Sequence, residues 1–274
     1  MIRFSAPKGT YDVLPPESNT FLTVVDRLSA AAQRAGYSYI QTPMFEDAAL
    51  YQRGVGESTD VVSKEMYTFT DKGGRSLSLR PEGTTGVIRA EVAHNLVSGQ
   101  RPVKLWYTGP NFRYEQPQAG RYRQHVQVGI EAVGTDDPAL DAEVIAVAVA
   151  GQQALGLRQV RLLLNSLGDA ACRPAYRQLL QEFPSRCDPD PETRSRAELP
   201  LFRVLDDKRP EVAAPLVHPP LVFDHLFESC RTLYAQVRPA LTPLDPSWGL
   251  APLVAPAFAS YNTPPPHRPP RAPP

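Results

Sequence analysis

Within the stretch FRYEQPQAGRYRQHVQVGIE, the chain sets Arg113, Glu115, Arg121, Arg123, Gln127 and Glu131 around a Pro/Gly loop. Guanidinium groups grip phosphate oxygens bidentately and never deprotonate, so three arginines at such a loop suit an oligophosphate, ATP being the natural candidate. The plain alternative is a salt-bridged sheet surface, the commoner fate of strand arginines. The mixture with Gln127, Gly129 and Glu131 favours a site. Upstream, Glu82 and Thr84 add an acceptor and a hydroxyl. Taken singly, Glu82 reads as a helix-dipole partner and Glu131 as a solvated strand residue. Together with Thr84 and Gln127 they could hold an amino acid's α-ammonium or a polar side chain, which need acceptors in a cationic pocket.

The chain contains no G-x-x-x-x-G-K-[ST] and no G-x-G-x-x-G, so any nucleotide would rest on a sheet rather than in a P-loop or Rossmann turn. His125 has no Ser or Cys nucleophile motif beside it and reads as a hydrogen-bonding spacer. His94, His218, His225 and His267 lack metal-ligand spacing, and no protein-bound metal centre is expected.

Period-two alternation supplies the positioning. From Arg121 to Glu131 the odd-numbered residues share one face, while Tyr122, Val126, Val128, Ile130 and Ala132 take the other. Arg113 and Glu115 alternate likewise with Phe112 and Tyr114, so residues 103–134 read as two strands, a loop and a long strand with a polar bench on one side. Earlier, residues 17–36 predict an amphipathic helix with Phe21, Val24, Val25 and Leu28 inward and Gly36 as its stop. GYSYIQTPMFE predicts a strand that Pro43 confines to an edge. MYTFT and RSLSLR around DKGG predict a hairpin, followed by a helix from about Pro81 with Val87, Ile88 and Val92 as its buried stripe. Residues 139–155 and 169–183 predict helices, 159–164 a buried strand, and 185–238 a proline-broken helical region.

Composition sets the frame. The 274 residues are 42% hydrophobic and 21% charged, with 29 basic against 29 acidic residues, which excludes a coiled coil, a collagen and a wholly disordered chain. Zero formal charge argues against sequence-blind attraction to nucleic acid as the main activity. Cys172, Cys187 and Cys230 have no C-x-x-C spacing and read as reduced thiols of a cytoplasmic protein. Lys8, Asp12 and the proline pair break any signal-peptide core, and the apolar run Val144–Ala150 is far too short to span a membrane. Past Ala240 the Pro-rich sequence predicts disorder.

At these residues the chain resembles class II aminoacyl-tRNA synthetases, and specifically the histidyl-tRNA synthetase family. KGTYDVLP resembles the family's opening, GYSYIQTPMFE its motif 1, SLRPEGTTGVIRA its histidine-site segment and YTGPNFRYEQPQAGRYRQHVQVGIEAVG its motif 2. LLNSLGD and FRVLDDK are similar to further family segments. The resemblance implies an α+β fold, an antiparallel sheet flanked by helices, that dimerises through motif 1. It places a catalytic core at 1–167, a mostly helical insertion at 168–238 and a disordered tail at 239–274.

The implied activity is histidine–tRNA ligation: histidine and ATP give histidyl-adenylate, and histidine then passes to tRNA(His). By the same resemblance Arg113 is the catalytic contact to the α-phosphate; Glu115, Arg121 and Arg123 join it in binding ATP; and Mg2+ bridges phosphate oxygens. Glu82, Gly83, Thr84, Arg113, Gln127 and Glu131 would bind histidine.

The sequence departs from the family at QHVQ (124–127), where an aromatic residue and a histidine are usual. It also lacks the family's L-V-R-G-L-D-Y-Y segment, its glycine-rich motif 3 and its anticodon-binding domain. The expectation is a truncated or frame-shifted product with weak or absent aminoacylation. The alternative is a non-catalytic regulatory subunit of ATP phosphoribosyltransferase that senses histidine.

Overall fold

The structure is a computed structural model that describes residues 4–55, 65–99, 101–116 and 120–158, together with shorter stretches between 160 and 250. The described residues divide into two units, one up to Arg158 and the other after it.

The first unit is built on helix α1 (Glu17–Arg34), strands β1 (Ser38–Tyr39) and β2 (Phe45–Asp47), and helix α2 (Ala48–Val55). Strands β3 (Thr68–Thr70) and β4 (Ser76–Leu79), helix α3 (Thr84–His94), strands β5 (Val103–Phe112) and β6 (Gln124–Val133), and helix α4 (Pro138–Ala154) complete it. One sheet has the order β1-β5-β6, with β5 and β6 antiparallel and β1 parallel to β5; the other has the order β2-β4-β3 and is antiparallel throughout. Strands and helices are thus mixed in the α+β manner.

Helix α1 ends where Gly36 takes φ +82°: its N–H is given to the Gln33 carbonyl and that of Tyr37 to the Ala32 carbonyl, a Schellman closure. Tyr37 then packs with Ala31, Ala32 and Val147, against Trp106, Ile130 and Ala132, forming the core between the sheet and α1 and α4. Of the residues expected on the inward face of α1, Phe21, Val25 and Leu28 are half-buried, but the deepest positions lie toward its C-terminal end. Ser29, Ala31 and Ala32 are buried while Val24 is exposed, because the small side chains let α4 approach. A methyl on Gly151 would lie 3.0 Å from Leu28 Cδ2. Helix α4 is capped by Asp137, which accepts from the Ala139 N–H at 2.9 Å with Pro138 at the first turn.

The Pro43 segment divides into two edge strands in different sheets, and the DKGG hairpin forms with Gly74 at φ +81°. In α3 only Val87 of the expected stripe is buried, in company with Gly86, Ala90 and Glu91; Ile88 is 37% and Val92 70% exposed. Close approach decides this face, since a methyl on Gly86 would lie 3.1 Å from Thr42 Oγ1. Val87 packs with Leu105 and Tyr107 on the side of the sheet opposite α1.

The two expected strands before the loop are one ten-residue strand, β5. Pro110 does not interrupt it because its backbone faces the edge away from β6, where no ladder N–H is required. Arg80 covers that edge: its Nε donates to the Pro110 carbonyl at 2.8 Å, and its own carbonyl accepts from the Phe112 N–H at 2.9 Å.

In the second unit, β7 is confined to Leu163–Leu164, with Leu163 47% exposed, and pairs in parallel with β8 (Gly249–Leu250). The strand expected over 159–164 is therefore shorter and only half inward. Residues 174–176, 178–179 and 182 are helical, and helix α5 (Glu228–Leu241) runs through Pro239. Of the insertion expected at 168–238, residues 183–221 lie outside the described residues, as do 243–248 and 251–274 of the tail expected at 239–274, whose first residues close α5 and whose Gly249–Leu250 forms β8.

Candidate active site

Register assembles the site. Across β5 and β6, Leu105 is opposite Glu131, Tyr107 opposite Gly129, Gly109 opposite Gln127 and Asn111 opposite His125. Opposed residues of an antiparallel pair project to the same side, so the odd-numbered residues of both strands share the face covered by α3. The polar bench therefore exists, with the N-terminus of α3 standing over it.

Two hydrogen bonds tie the start of α3 to the bench, and further ones order the carboxylates on either side. Thr84 Oγ1, in the first turn of α3, donates to Glu131 Oε1 at 2.6 Å, and Tyr107 Oη reaches the same oxygen at 3.5 Å. Arg113 Nε donates to the Pro81 carbonyl at 2.9 Å, leaving its two Nη groups to engage a ligand. Glu82 accepts from the Thr85 N–H at 3.0 and 3.3 Å, so its carboxylate sits on the positive end of α3.

Burial raises the Glu131 pKa above the usual carboxylate range, and the nearby charge of Glu82 raises it further, against the hydrogen bonds from Thr84 and Tyr107. Two mutually repelling carboxylates near the start of α3 make an arrangement that a cationic or N–H-bearing group would relieve. At His125, burial first and the Arg113 charge second depress the pKa to about 4, so its imidazole is neutral at neutral pH.

Gly83 has a packing reason. The Tyr107 ring lies between Gly83 and Gly129, and a Cβ at either position would overlap it. This close approach brings α3 down onto the sheet.

A model of the histidyl-tRNA synthetase family matches residues 9–186. The chain belongs to this family. Histidine–tRNA ligase of Nocardia farcinica is 62% identical over 234 residues, 85% of this chain and 56% of that relative. The Mycobacterium tuberculosis ligase is 58% identical over 259 residues, covering 94% and 61% of the two chains. Apo S. aureus histidyl-tRNA synthetase superposes with a TM-score of 0.67 at 32% identity, covering 91% of this chain and 57% of that one. The chain thus spans a little over half the length of the relatives it matches.

In this synthetase-family chain the arginines differ in what they are free to do. Arg121 is 55% exposed and only loosely paired, its Nη1 standing 3.6 Å from Glu115 Oε2. Arg123 is packed. Its guanidinium carbon lies 3.8 Å from the Tyr114 ring centroid, its Nε donates to the Glu115 carbonyl at 3.2 Å, and its N–H goes to the Gly9 carbonyl at 2.7 Å. A methyl on Gly9 would lie 2.6 Å from Arg123 Cγ, so the N-terminal loop closes directly on this side chain. Glu115 has left the strand, its N–H turning back to the Arg113 carbonyl at 2.8 Å.

Sequence reading missed two members of the bench, Tyr107 and Asn111. The signal was present: both have the parity of Arg113, and carrying the alternation back along β5 finds them. Among the described residues no group of three His, Cys, Asp or Glu side chains could hold a metal ion.

Proposed function

We propose that this chain carries the histidine-activating site of a histidine–tRNA ligase. The observation that carries the reading is the Thr84–Glu131 bond beside Glu82 and Arg113. Glu131 would accept from the imidazole N–H of histidine, Glu82 would hold the α-ammonium, and Arg113 would face the carboxylate and the α-phosphate. An apolar competitor would leave these acceptors buried and unpaired, which penalises it.

In the reaction a histidine carboxylate oxygen bonds to the α-phosphorus of ATP as the bond to the bridging oxygen breaks, releasing pyrophosphate. Arg113 neutralises the charge gathering on the α-phosphoryl oxygens. Arg121, exposed and loosely held, is available to the distal phosphates, and Glu115 to the adenine amino group. Arg123 contributes by bracing the hairpin. A terminal hydroxyl of tRNA(His) then attacks the acyl carbon and AMP departs.

Glu82 and Glu131 are already engaged by the Thr85 N–H and the Thr84 hydroxyl, so Mg2+ fits this site as a companion of ATP held mainly by phosphate oxygens. When bound it would neutralise phosphate charge.

The same reading makes the protein a cytoplasmic homodimer. Tyr39, Met44 and Phe45 are 50%, 46% and 53% exposed around Pro43, an apolar surface for a second copy. Among the described residues no helix is long and apolar enough to cross a membrane.

Calorimetric titration with L-histidine tests the proposal: binding should occur, and Glu131→Gln should weaken it by ~10-fold or more. An absence of binding, or equal binding by the variant, sinks it. Histidine binding that is indifferent to ATP and to Arg121→Ala would instead favour the histidine-sensing regulatory role.

A further inference from the structure

Asn111 is among the most buried polar side chains of the described residues, 1% exposed. Its Nδ2 donates to Gln127 Oε1 at 2.9 Å and lies 3.4 Å from the Gly109 carbonyl, while its Oδ1 has no hydrogen-bond partner. Leaving a buried carbonyl unpaired is costly, but turning the Asn111 amide over, alone or together with that of Gln127, would set Oδ1 against the Gly109 carbonyl, which can only accept; that carbonyl fixes the NH2 end of Asn111 toward Gln127. The side chain is thus held in an arrangement whose yield is one contact, on a residue of the bench.

We infer that Asn111 is a positioning residue that fixes the orientation of the Gln127 amide, so that Gln127 offers its N–H donors to the site. An amide can present either its carbonyl or its NH2. With Oε1 engaged by Asn111 from the neighbouring strand, the unengaged end of Gln127 is the nitrogen. Sequence reading alone allowed Gln127 to be an acceptor for an α-ammonium; the bond to Asn111 reverses that assignment. Resting on the histidine-site reading, the inference makes Gln127 a donor to an acceptor group, the amino-acid carboxylate, and leaves the ammonium and imidazole to Glu82 and Glu131. A donor beside Arg113 also holds the carboxylate on the side where it must meet phosphorus.

Side-chain amide resonances of the 15N-labelled full chain test the lock without any ligand, the Gln127 pair being assigned by its loss in Gln127→Ala. In the wild type the Asn111 NH2 should exchange slowly with solvent and the Gln127 NH2 quickly. In Asn111→Asp the carboxylate can only accept, so Gln127 must turn its NH2 inward and its exchange should slow by ~10-fold or more. Asn111→Leu, which removes the lock without adding charge, should shift the Gln127 resonances if the aspartate variant does not fold. Gln127 resonances and exchange that are unchanged in whichever variant folds would overturn the inference.

The second arm compares L-histidine with L-histidinol, which lacks the carboxylate. The wild type should prefer histidine, and Asn111→Asp should reduce that preference by ~10-fold while leaving histidinol binding nearly unchanged. Equal losses for both ligands would mark Asn111 as merely structural. If the wild type binds neither ligand, the histidine-site reading fails, while the exchange data still decide the lock.

Discussion

Thr84 Oγ1 lies 2.6 Å from Glu131 Oε1, joining the first turn of α3 to β6 across the mouth of the site. The bond holds a carboxylate whose pKa burial has raised, so Glu131 is a group that folding disfavours in its charged form.

Glu131→Gln should therefore stabilise the protein near neutral pH while weakening histidine binding. A raised folded-state pKa means that stability is complete below the ordinary carboxylate range and is lost as pH rises through the shifted value. The glutamine keeps a carbonyl for Thr84 and removes the charge, a gain on the order of 1 kcal/mol. Thermal melts at neutral and acid pH check this: the variant's advantage should vanish where both states of the wild type are protonated.

His125 carries the opposite sign. Its pKa is depressed from 6.5 to about 4, so below pH 6.5 the unfolded chain takes up a proton that the folded one refuses. Wild-type stability should fall between about pH 6.5 and about pH 4, and His125→Phe should flatten that slope. Parallel pH–melting profiles for the two proteins would rule out this cause.

Gly129→Ala should cost about 1–3 kcal/mol in chemical denaturation, because the added methyl meets the Tyr107 ring. Gly83→Ala should behave similarly from the other side of the ring. A loss below about 0.5 kcal/mol at both positions would mean the ring can give way.

The two loop arginines should separate. Arg123→Lys loses the stack on Tyr114 and the Nε bond to the Glu115 carbonyl, a loss of about 1–2 kcal/mol of stability. Arg121→Lys should leave stability within about 0.5 kcal/mol and weaken ATP binding, since it replaces an exposed fork with a point charge. Denaturation and nucleotide titration on both variants read the two effects independently.

The sequence by itself determined the polar bench and most of its members. Period-two alternation has only two phases, so one correct assignment at Val126 or Ile130 places Gln127 and Glu131 on one face without any coordinates, while the β5–β6 register brings Tyr107 and Asn111 to it. It also determined the start of α3, because a glutamate ahead of Thr84 and Thr85 has few other ways to satisfy helix N–H groups. Tertiary structure decided what lies above the bench and how each group is turned. Helical faces are set by which side chains are small enough for close approach, which is why α3 buries Gly86 and Ala90 and exposes Ile88 and Val92. Pro110 passed through a strand because its backbone met Arg80 rather than another ladder, and Arg123 became a brace because Gly9, far off in sequence, and Tyr114, across the loop, closed on it. The direction in which Gln127 faces depends on Asn111 across the strand pair, a choice between two ends of one amide that no spacing of letters encodes.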